Sequence, residues 1–185
     1  MWSLVYTTSK SDKDLIGILE LQRKNHSANL LEEEISTQGF ITVIHSLENL
    51  RNLNVIQPHI ICKNNGKVIA YLLALTAESK NEIPVLIPMF KIFETLIFKE
   101  KPISDYNYVV VGQVCVDKNY RGIGILDKCY SEYKLQLKDK YDFAITEISI
   151  RNLRSITAHK RIGFSEIYKY ASQNQEEWSV VVLEW

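Results

Sequence analysis

The stretch DKNYRGIGILDKCY, Asp117 to Tyr130, places two of the chain's seven glycines, Gly122 and Gly124, between a β-branched run and an amphipathic one. Backbone N–H groups at a helix start have no intrahelical acceptor and lie at the positive end of the helix dipole. Small residues let an anion come close to them, so a strand-to-helix turn of this composition suits a diphosphate. Arg121 would add a direct charge or brace the turn. Glycines serving only the bend are the competing explanation. The spacing is neither a Walker A loop, since no Gly-Lys-Ser/Thr follows, nor a GxGxxG fingerprint.

The flanking elements must hold that turn. YVVVGQVCV predicts a strand from about Tyr108 to Val116, and the residues after it a helix from about Gly122 to Lys138. FAITEISI reads as a strand, NLRSITAHKRIG as a helix closed by Gly163, and FSEIYKYA with EWSVVVLEW as a final pair of strands. Upstream, WSLVYTTS reads as a first strand and SDKDLIGILELQRKN as a helix that opens on a capping pattern. A second helical stretch spans about Glu32 to Leu53, with a break near Gly39. HIICKNNGKVIAYLLAL is a hairpin around Asn64-Asn65-Gly66, and VLIPMFKIFETLIF has the apolar density of a short buried helix. No repeat or low-complexity segment interrupts this order. It implies one domain over residues 1–185 built on a mixed α/β sheet.

Two motifs together point to a family. RGIGIL resembles the acyl-CoA-binding motif of the GNAT superfamily of N-acyltransferases, written Gln/Arg-x-x-Gly-x-Gly/Ala, with Arg121 first and Gly124 fourth. Farther on, ISIRNLRSITAHKRIGF resembles the family's second signature, with Asn152, Ser155, His159, Gly163 and Phe164 at matching positions. The sixth position of the first motif departs from the pattern: Leu126 stands where Gly or Ala is usual.

The resemblance implies an α/β fold of α+β type: a twisted, mostly antiparallel mixed sheet of about six to seven strands. Helices would flank both faces, and the strands ending at Val116 and Ile150 would splay into a slot. It implies acetyl-CoA as cofactor. Backbone groups of Val114 and Val116 would pair with the pantetheine arm, as an added strand does. The N–H groups from Arg121 through Gly122, Ile123, Gly124 and Ile125 to Leu126 would hold the diphosphate. Asn152 and Ser155 lie at the second signature, with Asn152 on the cofactor arm. A backbone N–H at Cys115 or Val116 would act as oxyanion donor.

The implied reaction is direct attack of a neutral amine on the thioester, and a protonated amine must first lose its proton. His159 stands where many family members carry an acidic Tyr. Its imidazole would protonate the leaving thiolate, hydrogen-bond the cofactor, or serve only as a packed helix histidine. The strand before the glycine turn offers no carboxylate, so Glu147 on the neighbouring strand is the first candidate base, with a solvated or ion-paired residue as the plain alternative. Gln113, which shares a strand face with Cys115, could orient a water or the amine. A nucleophilic Cys115 would need a base and a lowered pKa, which favours direct transfer.

Composition sets the remaining bounds. With 22 basic and 22 acidic residues among 185, nothing favours a nucleic acid or an anionic membrane. Three cysteines and four histidines show no metal-ligand or disulfide spacing, so no metal site is expected, and a cytoplasmic location is. The residues MWSLVYTTSKSDKD lack the basic start and apolar run expected of a signal peptide, and prolines and charges break the most apolar segment, so a membrane span is not expected. The expected acceptor is a primary amine of a small molecule or peptide, with residues 20–60 and 80–105 walling its cleft. Met89, Phe90, Phe93 and Phe98 would be core or an apolar lid. A CoA-binding module with weak or no turnover is the rival reading. A homodimer pairing through the C-terminal strand is a third, set against an interior place for that strand.

Overall fold

The structure, a computed structural model, describes the backbone of residues 3–185 and the side chains of all of these except 36–38. In chain order its main elements are β1 (Leu4–Thr8), α1 (Asp12–Asn25), α2 (Glu32–Gln38), α3 (Leu47–Ile56), β2 (Ile60–Asn64) and β3 (Lys67–Leu75). Then follow α4 (Ile87–Thr95), the two-residue strands β4 (Ile97–Phe98) and β5 (Lys101–Pro102), and β6 (Tyr108–Val116). The chain ends with α5 (Ile125–Leu137), β7 (Phe143–Ser149), α6 (Leu153–Ile162), β8 (Ser165–Ala171) and β9 (Glu177–Glu184). Trp2, expected in the first strand, lies outside the described residues.

Seven strands form one sheet in the order β1-β2-β3-β6-β7-β9-β8, antiparallel throughout except between β6 and β7. The β2–β3 hairpin turns on Asn65 and Gly66, both at positive φ, as its Asn-Gly sequence demands. β9 is hydrogen-bonded on both edges, by β7 and β8, so its Val run is interior and not an edge for pairing with a second copy.

Side chains of alternate strand residues fill two layers. Val109, Val111, Ala144 and Ile148 pack with Cys129, Tyr130 and Tyr133 of α5. Tyr108, Val110, Phe143 and Ile145 pack with Met89, Phe90 and Phe93 of α4, which settles the aromatic stripe there as core. α1 and α3 cover Tyr71, Leu73 and Cys115. Helices therefore flank both faces.

β6 carries the feature that shapes the site. Its register with β3 steps from Leu73↔Gln113 to Ala74↔Val111, so Gly112 is an extra, bulged residue. Before it the odd residues Val109 and Val111 face α5; after it the even residues Val114 and Val116 pack on that cluster, and Cys115 turns to α1. A Cβ on Gly112 would lie 2.2 Å from Cδ1 and 2.6 Å from Cγ of Leu75, so the bulge accepts no side chain as packed. Gly112→Ala is expected to destabilise the fold by roughly 1–3 kcal/mol through overpacking. In a Leu75→Ala background that cost should shrink by more than half, a coupling that a double-mutant cycle in urea will measure.

Candidate active site

β6 and β7 pair through Tyr108↔Phe143, Val109↔Ala144 and Val110↔Ile145 and no farther. Beyond that point the Thr146 hydroxyl donates to the Val111 carbonyl at 2.7 Å and closes the fork. The strands then diverge, β6 held by β3 and β7 by β9, leaving a V-shaped slot. The Asp117 amide donates to the Ile69 carbonyl at 2.8 Å. By antiparallel alternation Cys115 and Gln113 therefore bond toward β3, while the main-chain groups of Val114 and Val116 point into the slot. The candidate oxyanion N–H thus falls to Val116 or Val114, with the Cys115 amide turned away. The Cys115 thiol is buried under α1, and burial pushes its pKa up to about 12, the opposite of an activated nucleophile.

At the mouth of the slot, Gly122 and Gly124 have φ of 79° and 81°, and a Cβ on either would meet nothing within 4 Å. The turn therefore requires glycine for its backbone, and the space above it is open as well. The left-handed conformation of Gly124 also delays the helix, which begins at Ile125 and not at Gly122. The Arg121 amide donates to the Lys118 carbonyl at 3.4 Å. Among the described residues, the N–H groups of Gly122, Ile123, Gly124, Ile125 and Leu126 have no protein acceptor. Arg121 braces the turn: its Nε donates to the Val116 carbonyl at 2.9 Å and its Nη2 to Asn25 Oδ1 at 2.6 Å. The Leu126 side chain, the departure from the motif, packs against the α5 cluster. This slot and turn fit coenzyme A: open amides for a diphosphate and an unpaired strand edge for an extended arm.

The slot opens into a cleft of about 650 Å³ that reaches both faces of the sheet. Its α5–α6 side is lined by Ile125, Leu126, Ser155, Ala158 and His159. Its other side is lined by Leu86, Met89, Gln113, Glu147, Ser149 and Trp178. Where the sequence predicts one helical stretch with a break near Gly39, residues 39–46 separate α2 from α3. They form an irregular wall across the cleft. Asn152 Nδ2 donates to the Phe40 carbonyl at 3.1 Å, and Gln113 Nε2 to the Val43 carbonyl at 2.8 Å. His26 Nε2 lies 3.2 Å from the Thr42 carbonyl, and Gln22 brackets His45, accepting from its amide at 2.9 Å.

Hydrogen bonds define the places of four of the expected site residues. Gln113 also accepts from the Tyr71 hydroxyl at 2.6 Å, so both ends of its amide are engaged in fastening the wall. Asn152 Oδ1 caps α6 by accepting from the Ser155 amide at 3.2 Å, so it too is engaged at both ends. Ser155 provides the carbonyl that receives His159 Nδ1–H at 2.8 Å, and the Tyr130 hydroxyl donates to His159 Nε2 at 2.7 Å. Burial lowers the His159 pKa to about 4, so the ring is neutral with both nitrogens satisfied.

Glu147 is different. It faces the α4 side of the sheet at the widening slot, and burial raises its pKa to about 7, partly opposed by a hydrogen bond from the Tyr170 hydroxyl. A carboxylate there is poised to change protonation near neutral pH. Tyr170 was not anticipated, because its contact depends on the strand order β7-β9-β8. Among the described residues no group of three or more His, Cys, Asp or Glu side chains is placed to hold a metal, and no helix is long and apolar enough to cross a membrane.

No family model and no curated protein matches the sequence. Solved structures do match its shape. A NatC complex structure bound to Gag peptide and CoA aligns at TM-score 0.64 and 14% identity, over 98% of each chain. The ribosomal-protein-S18-alanine N-acetyltransferase of Escherichia coli aligns at 0.63 and 12% identity, over 98% of this chain and 93% of that one. The yncA protein of Salmonella typhimurium, with its cofactor acetyl-CoA, aligns at 0.62 and 15%, over 98% and 94%.

The chain has the GNAT fold. Within it the splayed pair is β6 and β7, and the glycine turn leads into α5, as the motif resemblance implied. His159 gives a test of how its neutral ring is used. The folded-state pKa of about 4 lies below the ordinary 6.5, so the unfolded chain takes up the proton first as pH falls. The stability this contributes is complete above about pH 6.5 and lost toward pH 4. His159→Phe should therefore be destabilising at pH 8, and its deficit should narrow by about 2 kcal/mol at pH 5. Urea unfolding of both proteins at the two pH values measures this.

Proposed function

We propose that the chain is an acetyl-CoA-dependent N-acetyltransferase acting on a primary amine of a small molecule or peptide. The observation that carries this reading is the slot between β6 and β7, with unclaimed amides from Gly122 to Leu126 at its mouth. The CoA and acetyl-CoA named for the NatC and yncA structures, and the peptide named for the first, support the same reading.

Acetyl-CoA would supply the acetyl group as a thioester, whose C–S bond would break as the amine forms the new C–N bond, the thiolate leaving as free coenzyme A with the amine's second proton. The residues here hold and move protons around that exchange. Val114 presents its N–H and carbonyl along the slot and Val116 its N–H, since Arg121 holds the Val116 carbonyl; the Val116 N–H is a candidate donor to the developing oxyanion. Glu147 is the base: its carboxylate takes the proton of the incoming ammonium, a role matched to a pKa near 7. Gln113 and Asn152 hold the wall formed by residues 39–46 and so shape the acceptor's approach. His159 supports α6 against α5 through Tyr130.

Binding without turnover is favoured by one observation: His159, the expected proton donor, has both ring nitrogens occupied. Two measurements separate the readings. Acetyl-CoA at about 100 times its Kd should stabilise the fold by about 2.7 kcal/mol, and the absence of any thermal shift at millimolar concentration would remove the basis of both. Thiol release over a panel of amines and peptides should then be detectable for the native chain. Glu147→Gln should lower that release about 100-fold or more while leaving the acetyl-CoA thermal shift in place. Thiol release from no amine would leave only the binding module.

A further inference from the structure

Glu147 shows an asymmetry between its two oxygens. The Tyr170 hydroxyl donates to Oε2, and among the described residues Oε1 has no protein partner. The phenol reaches Glu147 across an intervening strand. Tyr170 pairs with Trp178, Ser149 pairs with the other edge of Trp178, and Glu147 lies two residues from Ser149 on the same face. Three consecutive strands of the sheet thus set the distance between the phenol and the carboxylate.

We propose that Tyr170 is a positioning residue for Glu147: its hydroxyl holds Oε2 and thereby presents Oε1 to the ammonium of the acceptor. The inference rests on the acetyl-transfer reading above. Few other groups compete for the carboxylate. Opposite it on β9 is Val180, and Ser149, along β7, gives its hydroxyl to Glu176. On β6, Gln113 is bonded to Tyr71 and Val43, and Tyr108 is buried, neutral and stacked on Phe143. From α4, Met89 lines the cleft, and the acidic Glu94 is paired with Lys80. On β8, Glu166 and Lys169 pair with each other, and Glu166 also accepts from Ser179.

A donor on Oε2 favours the charged carboxylate, and the phenol is in turn made a weaker acid by burial and by Glu147, so it keeps its proton. When the amine's proton moves to Oε1 the carboxyl becomes neutral, and the Tyr170 O–H bond stays intact and still donates to Oε2. The phenol is an orienting donor and is not consumed.

The test compares Tyr170→Phe with the native chain and with Tyr168→Phe, which alters a neighbouring half-exposed ring. Two readouts are needed: the carboxyl carbon-13 titration of Glu147, assigned with Glu147→Gln, and the pH profile of kcat/KM for thiol release. In Tyr170→Phe the Glu147 titration should move up by about one pH unit, and kcat/KM should fall about tenfold at pH 6.5 while recovering toward pH 9. Tyr168→Phe should leave both unchanged. An unmoved titration in Tyr170→Phe overturns the proposal, whatever happens to the rate. If the titration moves but the native chain releases thiol with no amine, the contact stands and the acetyl-transfer reading fails, taking the positioning role with it.

Discussion

Everything distinctive in this molecule depends on two central strands ceasing to pair after three residues. A sheet normally satisfies its main-chain groups with a neighbouring strand, and leaving a run of them open beneath a cleft is costly unless water or a ligand completes them. Two local devices make the opening stable. The Thr146 hydroxyl ends the ladder by satisfying the Val111 carbonyl, and the Gly112 bulge re-aims β6 so that it stays bonded to β3 alone. β7 leans the other way because β9 holds it along its full length. The gap is thus enforced from both sides and needs no strain in either strand.

The chemistry follows from what borders that gap. On one side lie amides at the start of α5 with positive-φ glycines before them; on the other lies a carboxylate that, among the described residues, has a single hydrogen-bond donor. Burial acts in opposite directions on the two candidate proton carriers. It keeps His159 neutral by making its proton easy to lose, and it keeps Glu147 partly neutral by making its proton hard to lose. Only the second of these places a group near the midpoint of its titration at neutral pH. Near-neutral titration suits Glu147 to the proposed part of base, whereas a ring that stays neutral down to about pH 4 lacks the extra proton His159 would give a leaving thiolate.

Much of the frame was legible in the residues because it rests on local rules. The Asn-Gly hairpin, the interior Val run of β9 and the strand-glycine-helix order of β6 and α5 are short-range patterns. The start of α5 was misplaced by three residues, since φ at Gly122 and Gly124 is a property of the turn and not of the amphipathic pattern after it. The segment from Gly39 to Ser46 was harder. It is neither helix nor strand, and it is fastened by Gln22, His26, Gln113 and Asn152, partners brought to it only by the tertiary fold. Tyr170 was hidden for the same reason. Gln113 and Asn152 were expected to be site contacts, Gln113 orienting a water or the amine and Asn152 on the cofactor arm; in the structure their amides secure neighbouring backbone.

That irregular wall has a consequence for how such a protein could diversify. The Phe40, Thr42 and Val43 carbonyls meet side chains of Asn152, His26 and Gln113, while Ile41 between them pairs main chain to main chain with Asn25 and Ser27. Replacements of the side chains on either side of Ile41 would redraw the outline of the opening while that bridge and the strands beneath keep their alignment. The rim of the cleft and the register of the sheet rest, in that part of the molecule, on different residues.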